Sequence, residues 1–434
     1  MPIQPTSSRA LAVAALTAAL LAPTARAQAA VAPERPAPSS AAALAPAPAT
    51  GPGLFDEVLD AARGARLSLT VRPRYENLAT DGFPRRSEAA TVRTAFGFET
   101  APFRGLSVGA EVENVTVLGS ESFDDGLNGA TDRPLVPDPE GTTLNRVFAR
   151  FVDDSGVALQ AGRLAYQLDE GRLVGTNPWR QNDQVYDGLV VESPVLGVLD
   201  ASYAYLRAVN RPFGDDAPNG RSYMATHVLD VGFAPTDELD VSLYFVQVDV
   251  DDDPAHASET LGGRVAGRTP LTLRNDLVWL GELATQSDTG PNPNEYTSSY
   301  ARARIGLERG AFGIYAQLER LGGGSPAAGD EFSTPLANLD DMNGLLAIFA
   351  ATPPDGLVDR SIGARVELGR FTLTGAWHDF EAERGGAAYG SEWDVLLSYR
   401  AADELELAIQ LADYDADGFA SDSTDVAFWA TLTL

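Results

Sequence analysis

Apolar and polar residues alternate with period two over much of this chain, and that pattern restricts its fold more than any other feature. Across residues 66–75, Leu67, Leu69, Val71, Pro73 and Tyr75 fall on one face, with Ser68, Thr70, Arg72 and Arg74 on the other. Successive side chains of a strand point to opposite faces, so this spacing reads as β-structure with one apolar side. The pattern returns over residues 90–99, 106–113, 362–367 and 405–411. It closes the chain with Val426, Phe428, Ala430, Leu432 and Leu434. No run after residue 27 approaches the eighteen apolar residues of a membrane-crossing helix.

Alternation fits either a soluble sandwich, apolar inside, or a membrane barrel, apolar outside. Three features favour the barrel. Strands of about 9–11 residues match a tilted crossing of the hydrocarbon. Charged residues stand in mid-strand on the polar face, as a wet lumen allows. Short connections (residues 101–105, 234–238 and 401–404) alternate with long polar loops (residues 119–142, 208–222 and 251–260), as in outer-membrane barrels. The expectation is an all-β, antiparallel transmembrane barrel over residues 65–434. At roughly 20 residues per strand and loop it holds about 16–18 strands, an even number being preferred. Such a width leaves an aqueous channel unless loops fold into it.

The first 27 residues carry Arg9, an apolar run from Ala10 to Ala22 and Ala25-Arg26-Ala27, the layout of an export signal. Residues 28–64 form an Ala/Pro-rich linker that ends in a possible short amphipathic helix, with Leu54, Phe55, Val58 and Leu59 at helical spacing. Composition removes further classes. All 32 basic residues are arginine, the 61 acids leave a net charge of −29, and there is no cysteine. An acidic chain without a basic face is not a nucleic-acid binder. Without cysteine there is no thiolate catalysis, iron–sulfur cluster or disulfide scaffold.

Two stretches go beyond generic barrel texture. Residues 160–193 (QAGRLAYQLDEGRLVGTNPWRQNDQVYDGLVVES) and 332–359 (FSTPLANLDDMNGLLAIFAATPPDGLVD) resemble the alginate-export outer-membrane porins. Residues 377–383, 389–400 and 411–422 are similar to the C-terminal strands of that family. The resemblance implies an 18-stranded, monomeric barrel in the cell outer membrane, among lipid and lipopolysaccharide. It would pass anionic polysaccharide such as alginate, or small solutes, by passive diffusion without a cofactor. The sequence departs from that family in its acidic total, because a polyuronate calls for an electropositive path.

The predicted pore-lining arginines are Arg72, Arg74, Arg93, Arg146, Arg150, Arg163, Arg302, Arg304 and Arg365, with Glu111 and Glu113, and also Glu99 and Glu367, on the same face. Arginine stays charged and binds carboxylates through a rigid fork, which suits a selective constriction. Arg172 and Arg180 fall on a loop expected to fold inward. Residues 413–418 (DYDADG) match the first half of a calcium loop but lack its closing glutamate, Thr424 standing there. An acidic surface hairpin is the plainer reading. Phe, Tyr and Trp near strand ends, Tyr75 and Trp429 among them, are expected in the interfacial girdles. No hydrolase, zinc or phosphate-loop motif is present. The rival reading is a secreted, soluble, β-rich enzyme acting on polysaccharide.

Overall fold

The computed structural model describes residues 54–434, apart from 196–197, 215, 325–328 and 339–341. The export signal and the Ala/Pro-rich segment up to residue 53 lie outside the described residues. A ten-residue helix, α1 (Leu54–Arg63), precedes the strands. These are β1 (Arg66–Thr80), β2 (Ser87–Glu99), β3 (Leu106–Val117), β4 (Gly141–Val152), β5 (Ala158–Leu164) and β6 (Val185–Val195). Next come β7 (Leu199–Asn210), β8 (Arg221–Thr236), β9 (Leu239–Val248), β10 (Ser258–Pro270), β11 (Asp276–Asp288) and β12 (Thr297–Arg309). The last six are β13 (Phe312–Leu321), β14 (Leu357–Leu368), β15 (Phe371–Glu381), β16 (Ala388–Arg400), β17 (Leu405–Ala416) and β18 (Ser423–Thr433).

Each strand pairs antiparallel with its neighbours in sequence, and β18 pairs back onto β1, closing an 18-stranded barrel with no free edge. The seam is completed at the terminus: Leu434 and Leu69 exchange backbone hydrogen bonds of 2.9 and 3.0 Å. Closure satisfies every backbone ladder internally, which a sheet in lipid requires. The outward face is apolar and open. Leu67, Phe96, Leu243, Leu283, Ile305, Ile362 and Phe428 are all more than half exposed. A soluble β-rich enzyme would bury this belt, so that alternative fails on the outer surface.

The two ends of the barrel differ. At one end the connections are turns of two to six residues, and α1 docks there through Ala101 N–H to the Ala61 carbonyl (3.1 Å) and Arg104 to Glu57 (3.0 Å). The other end carries the long loops, residues 118–140, 165–184 and 322–356. The half of the lumen beneath these loops is packed. Phe349 of the last loop lies 4.6 Å from Phe380 and 5.3 Å from Phe419, ring to ring, and Phe332 stacks on Tyr300. An interior cluster that includes Leu164, Tyr186, Leu206, Tyr244 and Leu336 fills this half with apolar groups. The core is therefore inside the barrel, under the loops.

Candidate functional site

Two loops meet each other inside the lumen. Residues 165–184, between β5 and β6, meet residues 322–356, between β13 and β14, in a short parallel pairing of Val174 with Leu336. Gly175 N–H donates to the Leu336 carbonyl at 2.8 Å, and Asn338 N–H to the Gly171 carbonyl at 2.9 Å. Asn338 sits so close that a Cβ on Gly171 would lie 2.6 Å, and one on Gly175 2.3 Å, from its side chain. The glycines in that stretch are what let the loops touch.

Both loops are then fastened to inward-facing strand residues. Arg172 reaches Glu319 of β13 at 2.7 Å and Asn343 at 3.0 Å, while Tyr300 donates to the same Glu319 at 2.6 Å. The Arg172 and Glu319 side chains are almost fully buried, so neither charge has water to fall back on. Burial alone would disfavour the Arg172 charge, but the Glu319 carboxylate outweighs it and holds the guanidinium above its ordinary range. Glu170 meets Arg302 at 2.8 Å, Arg264 at 3.4 Å and Arg304 at 3.9 Å. Burial pushes the Glu170 carboxyl up, yet the three arginines together hold it below the usual carboxylate range. Leu346 N–H of the second loop donates to Glu392 at 2.9 Å.

On the β1–β2 side, Asp183 pairs with Arg93 at 2.6 Å, and Arg180 with Glu76 at 3.2 Å. Gln181 N–H donates to Asp138 at 2.8 Å, and Asp138 also binds Arg74. Asp138 comes from the third long loop, residues 118–140, so all three long loops are tied into one network.

The predicted pore residues distribute as follows. Arg72, Arg74, Arg93, Arg302 and Arg304 face inward and touch the loops. Arg172 and Arg180 lie on the inward loop. Glu113, nearly fully buried, binds Arg93 at 2.9 Å, and Glu111 binds Arg146 at 2.6 Å. Arg150 is inward by register, opposite Ser107 and Gln160. Arg365 and Glu367 pair at 2.7 Å in the open part of the lumen, well exposed and away from the constriction. Glu99 stands at the inward end of β2, where Ser107 donates to it.

Arg163 is a correction. It pairs in register with Val147, whose face also carries Phe151 and Leu159, so it points outward. There it binds Asp187 at 2.7 Å, and Asp187 also holds Arg221 at 2.5 Å. This knot of charge lies toward the long-loop end of the outer surface, where a charged group reaches the membrane interface and does not need a lumen. Trp429 is a second correction. Val426, Phe428 and Ala430 take the outward face of β18, which turns Trp429 inward, where its ring lies 5.1 Å from Trp179. In residues 413–418, Asp413 and Asp415 belong to β17, and Asp413 accepts from Thr424. Among the described residues no three acidic or histidine side chains group as a metal site would require.

Sequence reasoning missed Glu170, Asp183, Asp138, Arg264, Glu319 and Asn338. Glu170 and Asp183 lie inside the stretch singled out at 160–193. Arg264 is legible in the alternation Gly262, Arg264, Ala266, Arg268 along β10. Nothing local marks Asn338.

Among the described residues, two cavities border the loops. One, of about 410 Å³, is lined by Glu170, Arg302, Arg304, Glu319, His378 and Asp394, among others. The second, of about 230 Å³, lies against Arg72, Trp179, Gln410 and Trp429. Both are edged by Leu345.

No protein-family model matches the sequence, and no curated protein matches it. Solved structures do match. OpdO of Pseudomonas aeruginosa superimposes with a TM-score of 0.67 at 16% identity, over 87% of this chain and 99% of that one. OccAB4 of Acinetobacter baumannii gives 0.66 at 12% identity, over 85% and 98%. The fold is that of an outer-membrane porin. OpdK of P. aeruginosa, solved with vanillate, gives 0.66 at 16% identity, over 86% and 99%. These comparisons support the porin architecture, with its outer-membrane location, and do not confirm the alginate-export family.

Proposed function

We propose that this porin is a passive channel for small polar solutes and not for a polysaccharide. One observation carries the reading: three long loops are latched inside the lumen, and almost every arginine at the constriction is answered by a carboxylate. Arg74 is met by Glu76 and Asp138, Arg93 by Glu113 and Asp183, Arg172 by Glu319, and Arg302 by Glu170 and Glu282. A polyanion with one charge per sugar needs an unbalanced positive track through the pore. A charge-paired wall instead offers each passing dipole a local partner of either sign, with no net pull on a chain of like charges. The bond networks hold the aperture, and diffusion through it needs no energy source. The barrel closes on itself, so a single copy forms a complete pore, with lipid and lipopolysaccharide against its outer belt.

The test is planar-bilayer recording of the purified protein in a salt gradient, repeated with an oligouronate as blocker. The expected record is a stable, small conductance with weak ion preference and no block by the oligomer. Strong anion selectivity with oligouronate block would return the channel to the polysaccharide reading.

A further inference from the structure

The smaller cavity differs from the larger one, because two indoles line it and Arg72 is the only charged side chain among its described lining residues. Trp429 of β18 and Trp179 of the loop at 165–184 meet at 5.1 Å with an interplanar angle of 78°, forming a corner of two ring systems, with the Arg74 guanidinium over the Trp179 ring at 4.6 Å. Among the described residues no carboxylate lines the cavity. Arg72, the one cation among its described lining residues, is already committed: the guanidinium donates to Gln181 and to the carbonyls of Pro178, Trp179 and Arg180, four hydrogen bonds from five N–H groups. Among the described lining residues a carboxylate arriving here finds no free fork, and an ammonium finds no anion.

One group in the lining does ask for a partner. Asn177 is 7% exposed, and its Oδ1 has no hydrogen-bond partner in the protein. The residue is held in the left-handed region at φ 50°, with its backbone N–H on Asn338 Oδ1 at 2.6 Å. A buried acceptor left unpaired is costly, and a hydroxyl donor placed in the cavity would satisfy it.

We propose that this cavity is a subsite for a neutral, hydroxyl-bearing ring of monosaccharide size, lying on the solute path. A pyranose has an apolar C–H face to lay on an indole and a polar edge to offer Asn177, which is the combination the corner provides. At about 230 Å³ the space is below the roughly 300–1,000 Å³ of pockets for larger ligands, so it takes one ring and not a chain. Leu345 edges this cavity and the charged one alike. The inference rests on the channel reading for its transport meaning, but binding at the cavity is measurable without it.

The experiment titrates D-glucose into a bilayer holding the wild-type channel, then Trp429→Ala, Trp429→Phe and Asn177→Gly, the glycine preserving the left-handed backbone. Heat-modifiable gel mobility verifies that each variant is folded. Glucose should interrupt the wild-type current. The half-blocking concentration should rise about tenfold in Trp429→Ala and roughly three- to tenfold in Asn177→Gly, with Trp429→Phe between wild type and alanine. Vanillate, an aromatic anion, should block more weakly than glucose. Block that is unchanged across the variants, absent with glucose, or stronger with vanillate would overturn the subsite. If the folded protein conducts no current, the channel reading fails. The subsite then stands or falls on calorimetric titration of glucose into detergent-solubilised protein, with heat lost in Trp429→Ala if it is right and no heat at all if it is wrong.

Discussion

The two cavities edged by Leu345 are shaped by the same pair of loops, yet they are built from opposite materials. The larger is walled by ionic side chains from β12–β16, where Arg302 and Glu170 lock the first loop and Glu319 locks Arg172. The smaller is walled by β1, β17 and β18 with indole rings and amides, and its one guanidinium is spent on loop carbonyls. The difference shows where this barrel places its charges. They are concentrated where loops must be held down, and among the described residues the corner between the two indoles is lined by a single charged side chain, the committed Arg72. An ion pair in a desolvated site fastens a loop strongly only while both partners remain, whereas an aromatic wall carries no such liability.

The contrast is most easily broken at Arg172. Arg172→Ala leaves Glu319 buried without its cation, a loss of about 3–5 kcal/mol for a pair of this kind. The loop should release, giving a larger and noisier single-channel conductance with reduced resistance to heat in gel mobility. A conductance equal to wild type would show that the latch is not what sets the aperture. Gly175→Ala comes next. Its Cβ would fall 2.3 Å from Asn338 Oδ1 and 2.7 Å from the Asn338 backbone nitrogen. Overpacking of that order costs about 1–3 kcal/mol, and the two loops should part without any change of charge, raising conductance but not ion preference.

Acid should loosen the ionic side before the aromatic one. The Glu170 carboxyl is held below its ordinary range by Arg302, Arg304 and Arg264 against the opposing effect of burial. A carboxyl with a depressed folded value contributes stability above its unfolded value, about 4.3, and loses it as pH falls through the folded one. Conductance should therefore be flat near neutrality and rise only in baths more acidic than about pH 4, and Glu170→Gln should abolish that rise. The smallest effect is expected at Arg365. Its pair with Glu367 is mostly solvated, worth about 0–1 kcal/mol, so Arg365→Ala should leave both conductance and stability near wild type.

The wall was legible in the sequence and the plug was not. Alternation in residues 66–75 and 426–434 assigns faces correctly because every second side chain of a strand must meet lipid, whatever the rest of the chain does. That rule also explains the two misassigned residues. Arg163 shares its face with Leu159, and Trp429 alternates with Phe428, so both can be placed by parity. Residue type points the other way in each case, because arginine suits a lumen and tryptophan an interface. The constriction follows no local rule. Asn338 reaches Asn177 across 161 residues of chain, and Arg172 reaches Glu319 across 147. Contacts of that separation are set by barrel closure and by what the loops find inside it. Only Arg172, Arg180 and the glycines around them gave notice that one loop would turn inward.

The proposed restriction of this pore to small solutes by its latched loops is open to a test by liposome swelling. Proteoliposomes holding the purified chain should swell in a monosaccharide or an amino acid and stay inert in an oligouronate of several residues, with the larger solute admitted once Arg172→Ala releases the loop. Equal swelling of the wild type in the oligouronate would contradict the account.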